Sequence, residues 1–122
     1  MPEPLGLLLI SAGHERAHYA FVLAAAAAAI GRPVTLFATN QGTRALLATP
    51  PDPAADAQIK NQGVATLAEL REAAAELGVR LIACEAGLRL AGLTNAPLAP
   101  GVEIAGVVTF LEATSGGQLL SL

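Results

Sequence analysis

The sequence predicts an α/β protein built on an open, largely parallel sheet, and three observations support this fold class. Short apolar runs at 5–11, 33–39 and 79–84 are bounded by turn and polar residues. Uninterrupted apolar runs of this length are typical of strands buried on both faces, as in parallel sheets. Segments with helical character separate the runs, so strands and helices alternate along the chain. This alternation favours a sheet whose strands are joined by right-handed crossover connections.

Three helices are expected between the first three strands. The first covers 15–30 and ends at Gly31, a residue type that commonly terminates helices. A short helix is expected at 41–48, and an amphipathic helix at 65–77 places its apolar residues toward the sheet. A further helix follows the third strand. The predicted order is therefore strand, helix, strand, helix, helix, strand, helix.

Two parts of the chain fit this alternation less simply. The proline-rich segment 49–63, TPPDPAADAQIKNQG, is expected to be an irregular, mobile loop or flap. In the C-terminal third, periodicity allows either a strand at 102–109 or a short extended piece at 102–104 followed by a helix over 105–114. The final QLLSL follows two glycines and predicts a last strand.

Composition restricts the class of protein. With 122 residues the chain is long enough for one core, and we expect a single domain over 1–122. A net charge of −3 and scattered basic residues argue against direct binding of nucleic acid. The longest apolar run, 19–30, is too short to cross a membrane, and the N-terminus lacks the basic start of a secretory signal. We therefore expect a cytoplasmic protein without membrane contact, whose 53% hydrophobic content suggests burial in a homo-oligomer.

Polar residues follow each of the three predicted strands: SAGHERAH after the first, TNQGT after the second and CEAG after the third. In open α/β sheets, ligands bind beyond the carboxyl ends of the strands. We therefore predict a site at this edge, with Gly13, Asn40, Gln41 and Glu85 as candidate ligand-binding residues. The alternative is that these residues only form turns and helix caps.

Cys84 is the only cysteine, which excludes an internal disulfide and a metal site made of cysteines alone. Its place between a strand and a helix would bring it to the positive end of that helix, which favours the reactive thiolate. Glu85 acts in the opposite direction, because a neighbouring carboxylate disfavours a second negative charge. Cys84 could equally be an inert buried residue, as free cysteines often are.

His14 and His18 are four residues apart and share one face at the start of the first helix. If the first and third strands were neighbours, His14 could approach Cys84 and act as its base or as the partner of its thiolate. Two histidines at this spacing could also be half of a metal site, but no further ligands are evident and we predict no metal. The simplest alternative is a polar helix start that His14 or Glu15 caps.

Three stretches together resemble the DsrE/DsrF/DrsH-like family of small sulfur-relay proteins, which includes the sulfur carriers of tRNA thiolation. The stretches are LLLISAGHERAHYAFVLAAAAAAIGRPVTLFATNQGTRALL (8–47), LGVRLIACEAGLRLAGL (77–93) and PGVEIAGVVTFLEATSGGQLLSL (100–122). They share with the family a first strand, an alanine-rich helix with the pattern A-x-x-G-x-x-V-x-x-F, and a later GV-x-apolar-x-x-C ahead of a helix. The order and spacing of these features carry the resemblance.

The resemblance implies a three-layer α/β/α, Rossmann-like fold with a mostly parallel sheet of about five strands. It also implies assembly into homotrimers or hexamers, and it favours the helix over 105–114 with an edge strand at 118–122. In the sulfur-carrying members, the cysteine at the position of Cys84 accepts sulfane sulfur as a persulfide and passes it to a partner. Such a relay needs an exposed thiolate and no cofactor.

The leading hypothesis is a sulfur carrier or sulfurtransferase-like subunit in which Cys84 is the nucleophile. Its partners would be sulfur donor and acceptor proteins, and the loop at 49–63 would cover the site. The alternative is a non-catalytic subunit of the same fold that binds a small ligand or serves assembly, with Cys84 buried. A cysteine-based peroxidase is a third hypothesis, for which no arginine is obviously placed.

Overall fold

A computed structural model describes residues 2–49 and 52–122. Within these residues, the strands are β1 (Leu5–Leu9), β2 (Val34–Ala38), β3 (Arg80–Cys84), β4 (Glu103–Ala105) and β5 (Gln118–Ser121). They form a five-stranded sheet in the order β4-β3-β2-β1-β5, and every neighbouring pair is parallel. The carboxyl ends of all these strands therefore lie at one edge of the sheet.

The helices of the described residues are α1 (His14–Ala29), a 3-10 helix (Asn40–Leu46), α2 (Pro53–Asn61), α3 (Leu67–Glu76), α4 (Glu85–Leu90) and α5 (Val107–Ala113). Each of them lies in a connection between one parallel strand and the next along the chain, as parallel sheets require.

The alternation of side chains along β2 shows how the layers form. Leu36 packs in a buried cluster with residues of α1 and α3, on one face of the sheet. Its neighbour Phe37 points the other way, into a second cluster with Ile82 of β3 and Phe110 of α5. The Phe37 and Phe110 rings stack with their centroids 5.0 Å apart. This is the three-layer α/β/α, Rossmann-like arrangement that the sequence predicts.

The alanine run in α1 forms a packing surface of small buried side chains. The buried residues of α1 are Ala17, Ala20, Phe21, Ala24 and Ala27. Small side chains let α1 lie close to the sheet and to α3, which is its neighbour on the same face. Among the helices of the described residues, none combines the length and apolar character needed to span a membrane.

The expectation of an irregular loop at 49–63 is wrong for most of that segment. Residues Pro53–Asn61 form the helix α2, which Asp52 caps by accepting a hydrogen bond from the backbone N–H of Ala55 at 3.0 Å. Proline suits the first turn of a helix, because its missing N–H has no partner there in any case. Pro50 and Pro51, which the expected loop includes, lie outside the described residues.

In the C-terminal third, the structure decides between the strand and the extended piece with a helix, both of which periodicity allows. A strand over 102–109 is wrong, because β4 ends at Ala105 and α5 begins at Val107. The alternative of a short extended piece followed by a helix is confirmed, and so is the last strand, β5, at an edge of the sheet. A short edge strand at each side leaves few unpaired backbone groups exposed.

Candidate functional site

Cys84 lies where β3 ends and α4 begins. It is the N-cap residue of α4, and its Sγ accepts a hydrogen bond from the backbone N–H of Gly87 at 3.4 Å. The thiol sulfur thus takes the place that a serine or aspartate oxygen usually holds at a helix start. A donor aimed at the sulfur stabilises negative charge on it more than it stabilises the neutral thiol.

The surroundings of Cys84 are apolar on the α5 side of the sheet. Cys84 is 8% exposed and shares a buried cluster with Phe37, Ile82 and Phe110. Ala105 of the edge strand β4 pairs with Cys84 and packs against the same cluster. The side chain is therefore close to the surface at the edge of the sheet but is largely covered.

Gly87 allows the start of α4 to lie against the end of β2. A Cβ atom at Gly87 would come within 2.8 Å of the Thr39 Cα and would also overlap the backbone of Asn40. Both obstacles are backbone atoms, which cannot move aside cheaply. Glycine at this position therefore brings the TNQGT turn and the Cys84 helix into contact.

Asn40 and Gln41, which the sequence proposes as ligand-binding residues, lie in this contact region and are engaged locally. Asn40 has a positive φ of 51°, and its Oδ1 accepts a hydrogen bond from the Thr39 hydroxyl at 3.3 Å. The Gln41 Oε1 accepts one from the Arg44 Nε at 2.7 Å. Asparagine tolerates the left-handed conformation better than most residues, so these contacts match the turn-forming alternative.

Glu85 is the first residue of α4 and makes an ion pair on the surface of that helix. Its carboxylate pairs with Arg89 one helical turn later, with an Nη2–Oε1 distance of 3.0 Å. Both side chains are largely exposed. The negative charge that the sequence sets against the Cys84 thiolate is therefore paired with a cation on the same helix.

His14 is not placed beside Cys84. The two side chains could meet only if β1 and β3 were neighbours in the sheet. In the structure β2 lies between these strands. His14 begins α1, which packs on one face of the sheet, while Cys84 joins the cluster on the opposite face. The N-cap residue of α1 is Gly13, which has no side chain to act as a cap. No side-chain cap hydrogen bond is present at this helix start, so neither His14 nor Glu15 caps the helix.

His14 instead contacts Asp56 of α2, with 2.7 Å between the imidazole Nε2 and the carboxylate Oδ1. Asp56 also accepts hydrogen bonds from the backbone N–H groups of Leu67 at 2.9 Å and Ala68 at 3.2 Å, at the start of α3. Burial by itself raises the pKa of the Asp56 carboxyl. The two backbone hydrogen bonds and the contact with His14 outweigh burial and hold that pKa below its usual value.

Sequence reasoning missed Asp56, although a signal for its helix exists. Asp52 followed by Pro53 is a typical helix start, with an N-cap residue and then a proline at the first helical position. The surrounding prolines favoured a loop instead. The partners of Asp56 lie 11, 12 and 42 residues away, so no local pattern connects them.

Comparison with known proteins shows the family of this chain. A protein-family model described as the DsrE/DsrF-like family matches residues 6–120. The chain belongs to the DsrE/DsrF-like family. It is 40% identical over 55 residues to the sulfur carrier protein DsrE2 of Allochromatium vinosum, a match that covers 45% of this chain and 35% of that protein's length.

Two solved structures have the same fold as this DsrE/DsrF-like chain. The YchN protein from E. coli superposes with a TM-score of 0.74 at 19% identity, covering all of both chains. MTH1491, a protein of unknown function from Methanobacterium thermoautotrophicum, superposes with a TM-score of 0.67 at 17% identity, covering 98% of this chain and 99% of that one. At these identities the likeness concerns the fold.

The ionisable side chains of this DsrE/DsrF-like chain form no metal cluster in the described part. Among residues 2–49 and 52–122, no three His, Cys, Asp or Glu side chains come together as metal ligands would. His14 and His18 each have a protein partner instead, since the His18 Nε2 lies 2.8 Å from the Ala65 carbonyl oxygen.

Proposed function

We propose that this DsrE/DsrF-like chain is a cytoplasmic sulfur carrier or sulfurtransferase-like subunit that holds sulfane sulfur as a persulfide on Cys84. The observation that carries the proposal is the position of Cys84 at the N-cap of α4, where the Gly87 N–H donates to its sulfur. The family and the relative named a sulfur carrier support it.

The transfer needs two nucleophilic steps and no external oxidant. The Cys84 thiolate attacks the outer sulfur of a donor persulfide, so a bond forms between Sγ and that sulfur while the donor's own S–S bond breaks and its thiolate leaves. A nucleophile of the acceptor protein then attacks the outer sulfur, and Cys84 leaves as thiolate. With no second cysteine in the chain, an internal disulfide does not compete with the second step.

The hydrogen bond from Gly87 would act in both steps. The thiolate attacks in the first step and departs in the second, and an N–H donor at 3.4 Å favours the charged sulfur in each. The proposal gives His14 no part in the sulfur chemistry, because β2 separates its strand from that of Cys84. Nor does α2 cover Cys84, since it lies beside His14.

Mass spectrometry tests this proposal directly. Purified protein is incubated with inorganic polysulfide, freed of excess reagent and measured intact under non-reducing conditions. We expect one added sulfur atom that dithiothreitol removes, and no such adduct on Cys84→Ser. Absence of the adduct, or an equal adduct on Cys84→Ser, would contradict the proposal.

The burial of Cys84 favours a second candidate, a non-catalytic subunit that binds a small ligand or serves assembly. At 8% exposure the Cys84 residue is far less accessible than a surface cysteine. Titration with a thiol reagent separates the two candidates. A carrier predicts complete modification of native protein within minutes, whereas the second candidate predicts modification only after denaturant is added.

We also propose that the chain acts as a homo-oligomer, a trimer or hexamer, through the outer face of α5. Val107, Val108 and Leu111 of that helix are each more than half exposed, as is Ile104 of β4. Contiguous apolar patches of this kind often mark protein interfaces. Light scattering on the wild type and on Val108→Glu tests it: we expect an oligomer that the variant weakens, and a wild-type monomer would refute this assembly.

A further inference from the structure

A cleft away from Cys84 lies between the start of α1 and the length of α2. Its volume is about 610 Å³, within the range of small-molecule sites. Its lining residues are His14, Glu15, His18, Ala55, Gln58, Ile59, Asn61 and Gln62. Neither lysine nor arginine is among them. The sulfur-carrier proposal makes no use of this cleft.

The hydrogen bonds of His14 fix which of its ring nitrogens carries a proton. Asp56 accepts two backbone N–H groups and has a pKa below its usual value, so it is a carboxylate at neutral pH. A carboxylate only accepts, so the His14 Nε2 at 2.7 Å must donate. In the neutral ring, Nδ1 then carries the lone pair. This Nδ1 is buried and has no hydrogen-bond partner among the described residues.

The same reasoning applies to His18. Its Nε2 lies 2.8 Å from the Ala65 carbonyl oxygen, which can only accept, so Nε2 carries the proton. The Nδ1 of the neutral His18 ring is then also an acceptor. Two imidazoles on one face of α1 thus have their donor nitrogens occupied by protein groups.

Because no lysine or arginine is in the lining, no basic side chain there opposes the carboxylate of Glu15. Glu15 brings a full negative charge to the lining, and it makes no ion pair in the described part of the chain. The Asp56 carboxylate adds a second negative charge behind the His14 ring. Backbone N–H groups in the first turn of α1 oppose them with partial positive charges, and Arg16 and Lys60 on the same two helices lie outside the lining. A ligand that donates hydrogen bonds and carries positive charge complements this set.

We propose that the cleft between α1 and α2 is a second small-molecule site, separate from Cys84, that binds organic ammonium compounds. In this site Glu15 supplies the counter-charge, and the Nδ1 atoms of His14 and His18 accept hydrogen bonds from the ammonium groups. Burial of an unsatisfied acceptor costs free energy, so a donor that reaches the His14 Nδ1 recovers that cost.

Because the His14 Nδ1 is buried, the packing around the ring must open before a ligand can reach it, and helix α2 forms one wall of the cleft beside it. Asp56 is its single buried residue, so little apolar packing holds it to the rest of the chain. The residues at its two ends, Asp52 with φ 49° and Gly63 with φ 75°, have left-handed backbone conformations typical of turns. We therefore expect ligand binding to move α2 relative to α1 while the sheet stays unchanged.

Nuclear magnetic resonance titration with 1,4-diaminobutane tests the proposal. Two compounds of the same length serve as comparisons, the neutral 1,4-butanediol and the anionic succinate. We expect saturable shifts in the His14 and His18 ring nitrogens and in the backbone amides of α2, with the strongest binding for the diamine and the weakest for succinate. No saturable shift, or binding of succinate as tight as that of the diamine, overturns the proposal.

Two variants and a matched control localise the binding. Glu15→Gln removes the charge of an exposed residue and should weaken diamine binding at least threefold, while Glu76→Gln makes the same change outside the cleft and should leave it unaltered. His14→Gln retains an amide donor for Asp56 but loses the Nδ1 acceptor, and should also weaken binding. Equal affinity of Glu15→Gln and Glu76→Gln overturns the proposal. Cys84→Ser should bind the diamine normally, whatever the outcome of the polysulfide experiment.

Discussion

Cys84 and the His14–Asp56 pair lie near the same edge of one parallel sheet, on opposite faces of it. Around Cys84 the neighbours are apolar, and its sulfur accepts one hydrogen bond, from Gly87. Around Asp56 the contacts are polar, and its carboxylate accepts from two backbone N–H groups and from His14. The Cys84 region is held by packing, and the other region is held by charge. Changes in packing should therefore affect the sulfur, and changes in charge should affect α2.

The largest effect is expected when the packing around Cys84 is removed. Phe110→Ala deletes a ring that is 1% exposed and stacked on Phe37, which should lower the free energy of unfolding by about 3–5 kcal/mol. Because Phe110 shares a cluster with Cys84, the thiol should also be alkylated faster. Urea unfolding and native thiol titration measure the two effects.

Ile30→Ala is the exposed control outside this cluster and outside α5, since Ile30 at the end of α1 is 77% exposed. We expect its unfolding free energy to change by less than about 0.5 kcal/mol. If Phe110→Ala left the alkylation rate of Cys84 unchanged, α5 would not shield the sulfur.

Removal of the Asp56 charge should come next in size. Asp56→Asn keeps the shape of the side chain but replaces one acceptor oxygen by a donor, so the start of α3 and His14 lose part of their hydrogen bonding. We expect a loss of about 2–3 kcal/mol in unfolding free energy and faster hydrogen exchange in α2. The alkylation rate of Cys84 should not change, and a parallel change would show that the two regions are coupled.

The Asp56 contribution should also depend on pH. Burial alone raises the Asp56 pKa, but the hydrogen bonds and the contact with His14 together lower it by more than burial raises it. Folding therefore favours the ionised form. The resulting stability is fully present above the unfolded-state pKa of about 3.9 and is lost as the pH falls through the folded-state pKa. The difference in stability between wild type and Asp56→Asn should thus be constant near neutral pH and shrink below about pH 5. A difference that grows in acid would contradict this assignment.

Gly87→Ala should have an intermediate effect of about 1–3 kcal/mol on unfolding. The added Cβ meets the backbone of Thr39 and Asn40, so α4 must move and the hydrogen bond to the Cys84 sulfur should lengthen. We expect persulfide loading to be slower than in wild type. Gly92→Ala is unsuitable as a control because of its φ of 74°, whereas Gly106→Ala, in open space, should load normally. Loading of Gly87→Ala at the wild-type rate would separate the sulfur chemistry from this contact.

The smallest effect is expected at Glu85. Its carboxylate is exposed and paired with Arg89, and an exposed ion pair contributes at most about 1 kcal/mol. Glu85→Gln should therefore change the rate of Cys84 alkylation by less than about fivefold, a limit that stopped-flow titration can resolve. A larger acceleration would mean that Glu85 turns toward the sulfur in solution.

The sequence predicts those parts of the fold that depend on local pattern. Apolar runs identify β1, β2 and β3, and the glycine after each helical pattern ends α1 and α3. The position of Cys84 at a strand end, ahead of a helix, follows from the same patterns. The helix α2 was missed because the prolines near it outweighed the Asp52-Pro53 start signal.

The arrangement of the two regions depends on contacts that no local pattern contains. Alternation of strands and helices does not say which strand is central, and with β2 between β1 and β3 the supposed pair of His14 and Cys84 is divided. The partner that His14 does have, Asp56, is 42 residues away in a segment without apolar periodicity. Long-range polar contacts of this kind become visible only in three dimensions.

A helix whose single buried side chain is a carboxylate also has a consequence for how the chain comes apart. Such a helix adds almost no apolar surface to the core, so α2 should unfold by itself at a free energy far below that of the sheet. Lys60 lies in the last turn of α2. We therefore expect trypsin to cleave native protein first at the peptide bond that follows Lys60. The strands would stay intact in the nicked product, because the cut removes nothing that packs between them.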